Sequence, residues 1–319
     1  MNNPSRKHHY VPRFYLAGFT KTASKDGLLH VVDKELGKSF GPVTPNAIAF
    51  ENDFYKVEVR PEYNPMLIEQ VIAEIEATCS KVVYKLIEER TLPKGTDCET
   101  LMNFVALMAT RVPGIRRTIS GFLDKVMKRF LQTMLKSDVG WKQFVQTCEE
   151  NGQAVTETRE KYIEVAGSED ITIDMDRSWH VGTMLELGSR LVPELAKRHW
   201  SLWLAEENTP DLICSDNPVS LSWHVSPHPP LPPGFAARGT LVIMPINRRM
   251  AVAGAYETDL PAISYLDKHC VATVNRSTLE YAVQIYSPEK EFTWATTEEH
   301  VAGVQDVLEL SNIKANKKS

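Results

Sequence analysis

No pair of cysteines stands at metal-binding spacing in this chain. Cys79, Cys98, Cys148, Cys214 and Cys270 are odd in number and widely separated, which argues against a disulfide framework and against a zinc knuckle. Buried free thiols are the expectation. No apolar run approaches the roughly 20 residues of a membrane span, and the opening Met-Asn-Asn-Pro-Ser-Arg-Lys-His-His lacks the apolar core of a signal peptide. The expected location is therefore cytoplasmic, with no membrane partner. There is no glycine-rich phosphate loop, no internal repeat and no heptad array. Lys and Arg number 36 against 41 Asp and Glu, and this net charge of -5 excludes a general polyanion binder, so any nucleic-acid contact has to be local.

What is present is enough for a large core: 319 residues, 43% hydrophobic and 24% charged, the composition of a folded globular protein. One extended domain over 1–319 is expected. A division into a mainly helical part, 1–207, and a mixed part, 208–319, is the alternative organisation, with an insertion near 151–176. The densest stretch is His8-His9-Tyr10-Val11-Pro12-Arg13-Phe14-Tyr15-Leu16-Ala17-Gly18-Phe19, which gathers two imidazoles, two phenols and a guanidinium within eight residues.

Leu28 to Asp33 reads as a strand, and Ala47 to Val59 as a polar entry followed by an apolar-aromatic run. Pro65 suits a first helical turn behind Asn64. Leu67, Ile68, Val71, Ile72, Ile75, Cys79, Val82, Val83 and Leu86 then recur at helical spacing and predict about six turns. Glu69 and Glu76, seven residues apart, fall nearly on one line along that helix. They form either a solvated acidic row or a row in which a carboxylate faces a polar pocket.

A second helical pattern starts at Glu99, with Phe104, Leu107, Met108, Ile115, Ile119, Phe122, Leu123, Val126, Met127, Phe130, Leu131 and Met134 as its expected buried side, and Pro113 with Gly114 should kink or divide it near Arg111. Arg111, Arg116 and Arg117 at the break suggest an anionic recess. The basic residues from Arg116 to Lys136 read equally as a solvated face, a reading from which Arg111 is exempt. Ile163, Val165, Ile171 and Ile173 hint at a hairpin around Ala166 to Asp170, and a helix resumes near Asp176. His180, His199, His224 and His228 read as packed, capping or solvated histidines.

From Asp211 the pattern becomes a buried strand, a polar turn and another extended run, through Cys214-Ser215-Asp216-Asn217-Pro218-Val219. An aspartate at a strand end is held rigidly, as a catalytic or metal-binding carboxylate requires. The same cluster serves equally as an Asx-type turn that satisfies its own backbone. Thr240 to Ile246 and Met250 to Tyr256 predict an antiparallel pair. Cys270 to Ser287 predicts a helix ending in a short extended segment, and Thr297 to Leu310 a terminal helix. The fold class is α+β: predominantly helical, with a small, mostly antiparallel sheet in the C-terminal third.

The opening His8 to Phe19 motif, the Phe104 to Arg111 helix with Pro113, the Ser215-Asp216-Asn217-Pro218 turn and the Pro245 strand end together resemble the DUF4238 family of uncharacterised, mainly microbial proteins. The likeness runs in order through most of the chain, and the first motif is its specific part. It implies a shared site drawing on His8, His9, Arg13, Arg111, Asp216 and Asn217, with Asn275 a weaker addition, and it implies no established activity. Ala17 departs from the family pattern, standing where a basic residue is common.

The spacing and the resemblance lead to a phosphodiester hydrolase, acting on nucleic acid or on a phosphorylated small molecule. His8 or His9 would be the general base or a metal ligand. Asp216 would orient that imidazole or bind a divalent ion, with Glu69 as a second carboxylate, and Arg111 would stabilise phosphoryl charge. A metal-free mechanism fits the sequence equally well. The competing reading is a nonenzymatic binding or interaction protein in which the first motif is a structural clasp, with His8, His9 and Arg13 bonded to the Asp216 turn.

Overall fold

The computed structural model describes residues 7–55, 67–257, 260–297 and 300–316. The chain divides into two compact units, one formed by residues 1–114 and 181–319, the other by 115–180.

The first unit begins with β1 (Lys7–His9) and the short helix α1 (Arg13–Ala17), which opens behind Pro12. Strands β2 (Leu29–Asp33), β3 (Lys38–Val43) and β4 (Phe50–Asn52) follow. β4 pairs antiparallel with β1, placing His8 opposite Glu51 and His9 opposite Phe50. Helix α2 (Leu67–Glu89) has the length its apolar spacing predicts and buries Ile72, Cys79, Val82, Val83 and Leu86. The Pro65 start predicted for it, and the end of the Ala47 to Val59 segment, lie outside the described residues.

Helix α3 (Thr96–Thr110) is divided from α4 (Pro113–Lys136) at Arg111 and Val112. Pro113 occupies the first position of α4, where its missing N–H costs nothing.

The second unit continues with α5 (Asp138–Glu150), capped by the Ser137 hydroxyl accepting the Gly140 amide. Residues Arg159–Gly167 form a helix, α6, and not one arm of the expected hairpin. The apparent alternation of Ile163 and Val165 gives way to two local factors. Thr158 caps the helix by accepting the Lys161 amide, and Tyr162 packs against Trp141 and Phe144 at ring separations of 5.9 and 5.2 Å. Helix α7 (Arg177–Ala196) leads back into the first unit.

The remaining elements are β5 (His199–Ala205), β6 (Cys214–Ser215), β7 (Ser220–Trp223), β8 (Thr240–Asn247), β9 (Met250–Ala255), β10 (Ile263–Leu266), α8 (Lys268–Glu280), β11 (Gln284–Ser287), β12 (Trp294–Ala295), β13 (Val301–Ala302) and α9 (Val304–Asn316). The terminal helix thus starts seven residues later than the sequence pattern predicts, after a two-stranded pairing of β12 with β13.

A five-stranded sheet runs in the order β10-β5-β9-β8-β7, antiparallel except for the β10–β5 pair. It is covered on both faces. Along β8 and β9, Val242, Met244, Met250 and Val252 enter the main core with Phe104 and Leu202, while the alternate residues Ile243, Ala251 and Ala253 meet Val271 and Val274 of α8. The two-residue period of a strand accounts for that partition.

A four-stranded antiparallel sheet, β3-β2-β11-β6, joins the first fifty residues to the last third. No boundary at 207/208 survives this topology. β5 lies before it and pairs with β9 and β10 after it, and β2 pairs with β11. The segment expected as an insertion, 151–176, falls within the larger unit 115–180. The fold is α+β, mostly helical, with the antiparallel sheets concentrated toward the C-terminal half.

Candidate functional site

A cavity of about 370 Å³ in the first unit is lined by β1, α1 and α2, and holds Lys7, His9, Arg13, Asn46, Glu69 and Glu76. His8, Tyr55, Ile72 and Ala73 complete its wall. The β1–β4 pairing fixes the backbone of both histidines, and both line the cavity. His8 is buried and His9 half-buried.

His8 has both ring nitrogens engaged. Its Nδ1 accepts the Tyr55 amide at 2.9 Å, so in the neutral ring the proton sits on Nε2. That atom is 3.2 Å from Glu69 Oε2, a contact close in distance but off the line of a good hydrogen bond, since this carboxylate oxygen has no hydrogen-bond partner. The imidazole stacks on the Tyr55 ring at 5.5 Å. Glu69, and not Asp216, is thus the carboxylate nearest His8 among these residues.

His9 is different. Its Nε2 is buried and has no hydrogen-bond partner, and its ring tilts against Phe50. Burial and the Arg13 charge, with a smaller push from Lys7, lower its pKa to about 4, against an opposing pull from the backbone of Asn46 and Pro45. At neutral pH the ring is therefore neutral, with a nitrogen free to accept a proton or a hydrogen bond. Arg13 is exposed and donates to Asn46 Oδ1 at 3.3 Å. Lys7 Nζ lies 4.5 Å above the Phe50 ring. Neither cation has a carboxylate held against it by these contacts.

Arg111 is wholly buried behind the cavity. Its Nε donates to the Tyr10 carbonyl at 2.7 Å, its Nη1 reaches Glu76 Oε1 at 2.7 Å, and its Nη2 is unpartnered. The guanidinium anchors a wall carboxylate and does not itself line the cavity. Of the two readings of the Glu69 and Glu76 row, the structure shows both carboxylates at a polar pocket.

Asp216 and Asn217 do not line this cavity. Asp216 Oδ1 accepts the Val283 amide at 2.9 Å, and the Asn217 amide donates to Ser215 Oγ at 3.1 Å. Within the cluster Ser215 satisfies the turn's own backbone, while Asp216 docks the turn against the start of β11. Asp216 also stands near the Tyr286 phenol, whose pKa burial pushes well up and beside which Tyr10 lies. Asn275 is fully buried and spends its amide on the backbone, accepting from Ile213 and donating to the Asp211 and Thr293 carbonyls. It fastens α8 to the loops, which departs from its expected place in the site.

Tyr55 and Asn46 were not candidates from the sequence. Nothing in their spacing marks them: the β1–β4 pairing brings Tyr55 to His8, and the Pro45–Ala47 turn packed on α1 brings Asn46 to Arg13. Elsewhere, Ser120, Asp174 and His180 meet in the second unit, but the Ser120 hydroxyl and Asp174 both approach the same His180 Nε2, at 3.3 and 3.4 Å. A nucleophile relay needs its base and its orienting carboxylate on opposite ring nitrogens, so this cluster is not one. Among the described residues no group of three His, Cys, Asp or Glu is placed to hold a metal ion, and no helix is long and apolar enough to cross a membrane.

No curated protein and no solved structure matches the chain. One family does, described as a protein of unknown function, over residues 7–289. That span takes in β1, the cavity, Arg111 and the Asp216 turn, and the chain belongs to the DUF4238 family.

Proposed function

We propose that the cavity binds a phosphoryl group and that the protein hydrolyses a phosphodiester, in a nucleic acid or in a phosphorylated small molecule. The observation that carries the reading is the unpartnered Nε2 of His9, neutral and flanked by Arg13 and Lys7. Both cations are available to a ligand's phosphoryl oxygens. An arriving phosphodiester monoanion partly offsets the charges that help to depress the His9 pKa, so the imidazole becomes a stronger base when substrate is bound. His9 Nε2 then takes a proton from water as that water attacks phosphorus. The ester P–O bond breaks, and the leaving oxygen takes a proton from solvent. His8 and Glu69 hold the wall against which this happens, and Arg111 holds Glu76.

The alternative, a nonenzymatic protein with a structural clasp, has its own support. Tyr15 donates to the Pro245 carbonyl at 2.6 Å, Arg248 donates its amide to the Gly18 carbonyl at 3.1 Å, and Arg111 holds the Tyr10 carbonyl. A Cβ on Gly18 would come within 3.1 Å of Asn247 Cβ, so glycine is what lets the two segments meet. This fastening uses Tyr10, Tyr15 and Gly18, and leaves His9 and Arg13 to other work.

The test is cleavage of bis(p-nitrophenyl) phosphate and of labelled single- and double-stranded DNA and RNA, with divalent metals or EDTA, beside His9→Gln and Arg13→Ala. Cleavage lost in both variants, with unchanged circular dichroism, supports the hydrolase. Phosphate binding without cleavage under any condition moves the reading to a binding protein. Absence of both leaves the clasp.

A further inference from the structure

The solvent-facing side of α4 carries groups that a helix on a folded unit ordinarily turns inward. Phe122, Val126 and Phe130 recur every four residues, and the two rings are 65% and 63% exposed. The opposite side provides the packing: Asp124 accepts the Ile173 amide, Gln132 donates to the Ile163 carbonyl, and Leu135 is buried. The exposed rings are therefore surplus to the core of the second unit.

Directly beside that row lie Lys125, Arg129 and Lys136, all exposed and separated by four and seven residues. The whole 24-residue helix carries Arg116, Arg117, Lys125, Lys128, Arg129 and Lys136 against the single acid Asp124, and Asp124 is taken up by Lys128 at 2.9 Å. In a chain whose net charge is -5, this is a local reversal of sign. Two identical helices of this charge would repel, which disfavours the same face of a second copy as its cover.

We infer that the exposed face of α4 is a binding surface for single-stranded nucleic acid. Cations in a row track a phosphate backbone, while exposed rings at turn spacing offer stacking platforms for unpaired bases. Phe122 and Phe130 are about 12 Å apart along the axis, a span of a few nucleotides. A membrane surface would also attract the cations, and Met127, 37% exposed, widens the apolar row; the two rings, standing two turns apart beside the cations, favour unpaired bases over lipid, and vesicle binding is the competing outcome of the test. A duplex keeps its bases stacked and has nothing to offer the rings. This inference rests on the second unit alone and stands whether or not the cavity is hydrolytic.

The test is fluorescence anisotropy of the full chain with labelled oligo-dT and oligo-rU of about twenty nucleotides and with a matching duplex, at roughly 50 mM and 200 mM salt. Vesicles of phosphatidylglycerol and phosphatidylcholine are assayed in parallel by flotation. Single strands should bind more tightly than duplex, through residues that lie wholly in the second unit and not at the cavity. Phe122→Ala with Phe130→Ala should weaken it by at least about thirtyfold. Lys125→Gln with Arg129→Gln should lower the slope of log affinity against log salt by about 1.4. All four positions are exposed, so folding is preserved and is checked by circular dichroism. Absence of oligonucleotide binding, binding indifferent to both double variants, or vesicle binding in its place overturns the inference.

Discussion

The Nη1 of Arg111 stands 2.7 Å from Glu76 Oε1, with the guanidinium sealed in the core and the carboxylate at the wall of the cavity. A buried charge of this kind is tolerable only while paired. Glu76→Ala, which leaves the sealed guanidinium without its counter-charge, should destabilise the protein by about 3–5 kcal/mol in urea unfolding. Arg111→Met with Glu76→Ala should recover part of that loss. A single-variant cost below about 1 kcal/mol would show that the pair contributes little.

Asp216 and Asn275 should behave as structural residues. Asp216→Asn keeps an oxygen for the Val283 amide and should leave stability nearly unchanged, whereas Asp216→Ala should cost about 1–3 kcal/mol. Asn275→Ala removes three buried backbone contacts and should cost at least about 3 kcal/mol. None of these variants should change phosphate binding at the cavity, measured by calorimetry on folded protein. A large loss of phosphate affinity in Asp216→Asn would return that residue to the site.

Why the sequence placed Asp216 beside the histidines, and the structure does not, is a matter of range. The row of Glu69 and Glu76 is legible because both lie on one helix, whose period is known. Division of the helix at Arg111 is legible because Pro113 acts locally. The partners of Asp216, by contrast, come from the start of β11, some 67 residues away, and strand pairing over such a distance leaves no local periodicity. Tyr55 meets His8 across a separation of 47 residues for the same reason. The α6 segment was misread because two isoleucine and valine positions imitate a strand while the cap at Thr158 and the aromatic contact of Tyr162 decide for a helix. Aromatic residues on α4 read as part of its buried side in the sequence, and only burial separates Leu135 from Phe122 and Phe130.

His9 gives a pH dependence with a definite sign. Its folded pKa, about 4, lies below the ordinary value of 6.5, so between those limits the unfolded chain binds the extra proton. The contribution to stability is fully present above pH 6.5 and is lost as pH falls toward 4. For a half-buried ring it amounts to roughly 1–2 kcal/mol after solvent screening. His9→Gln should flatten the stability profile across that window. In an NMR titration, inorganic phosphate should move the His9 midpoint upward. A midpoint near 6.5 without ligand would remove the basis for this prediction.

Glu69 sets the last expectation, because it places negative charge where the proposed ligand carries its own. Its side chain is one-third exposed and lines the same cavity as Arg13 and Lys7. Two charges of one sign several ångströms apart at a solvated protein surface repel by about 1 kcal/mol, close to a fivefold effect on affinity. Glu69→Gln should therefore tighten inorganic phosphate binding about fivefold, while Arg13→Ala should weaken it about tenfold. Both shifts should shrink as salt is raised. The paired signs matter more than either magnitude: a cavity that merely holds water would lose nothing with Arg13 and gain nothing without Glu69.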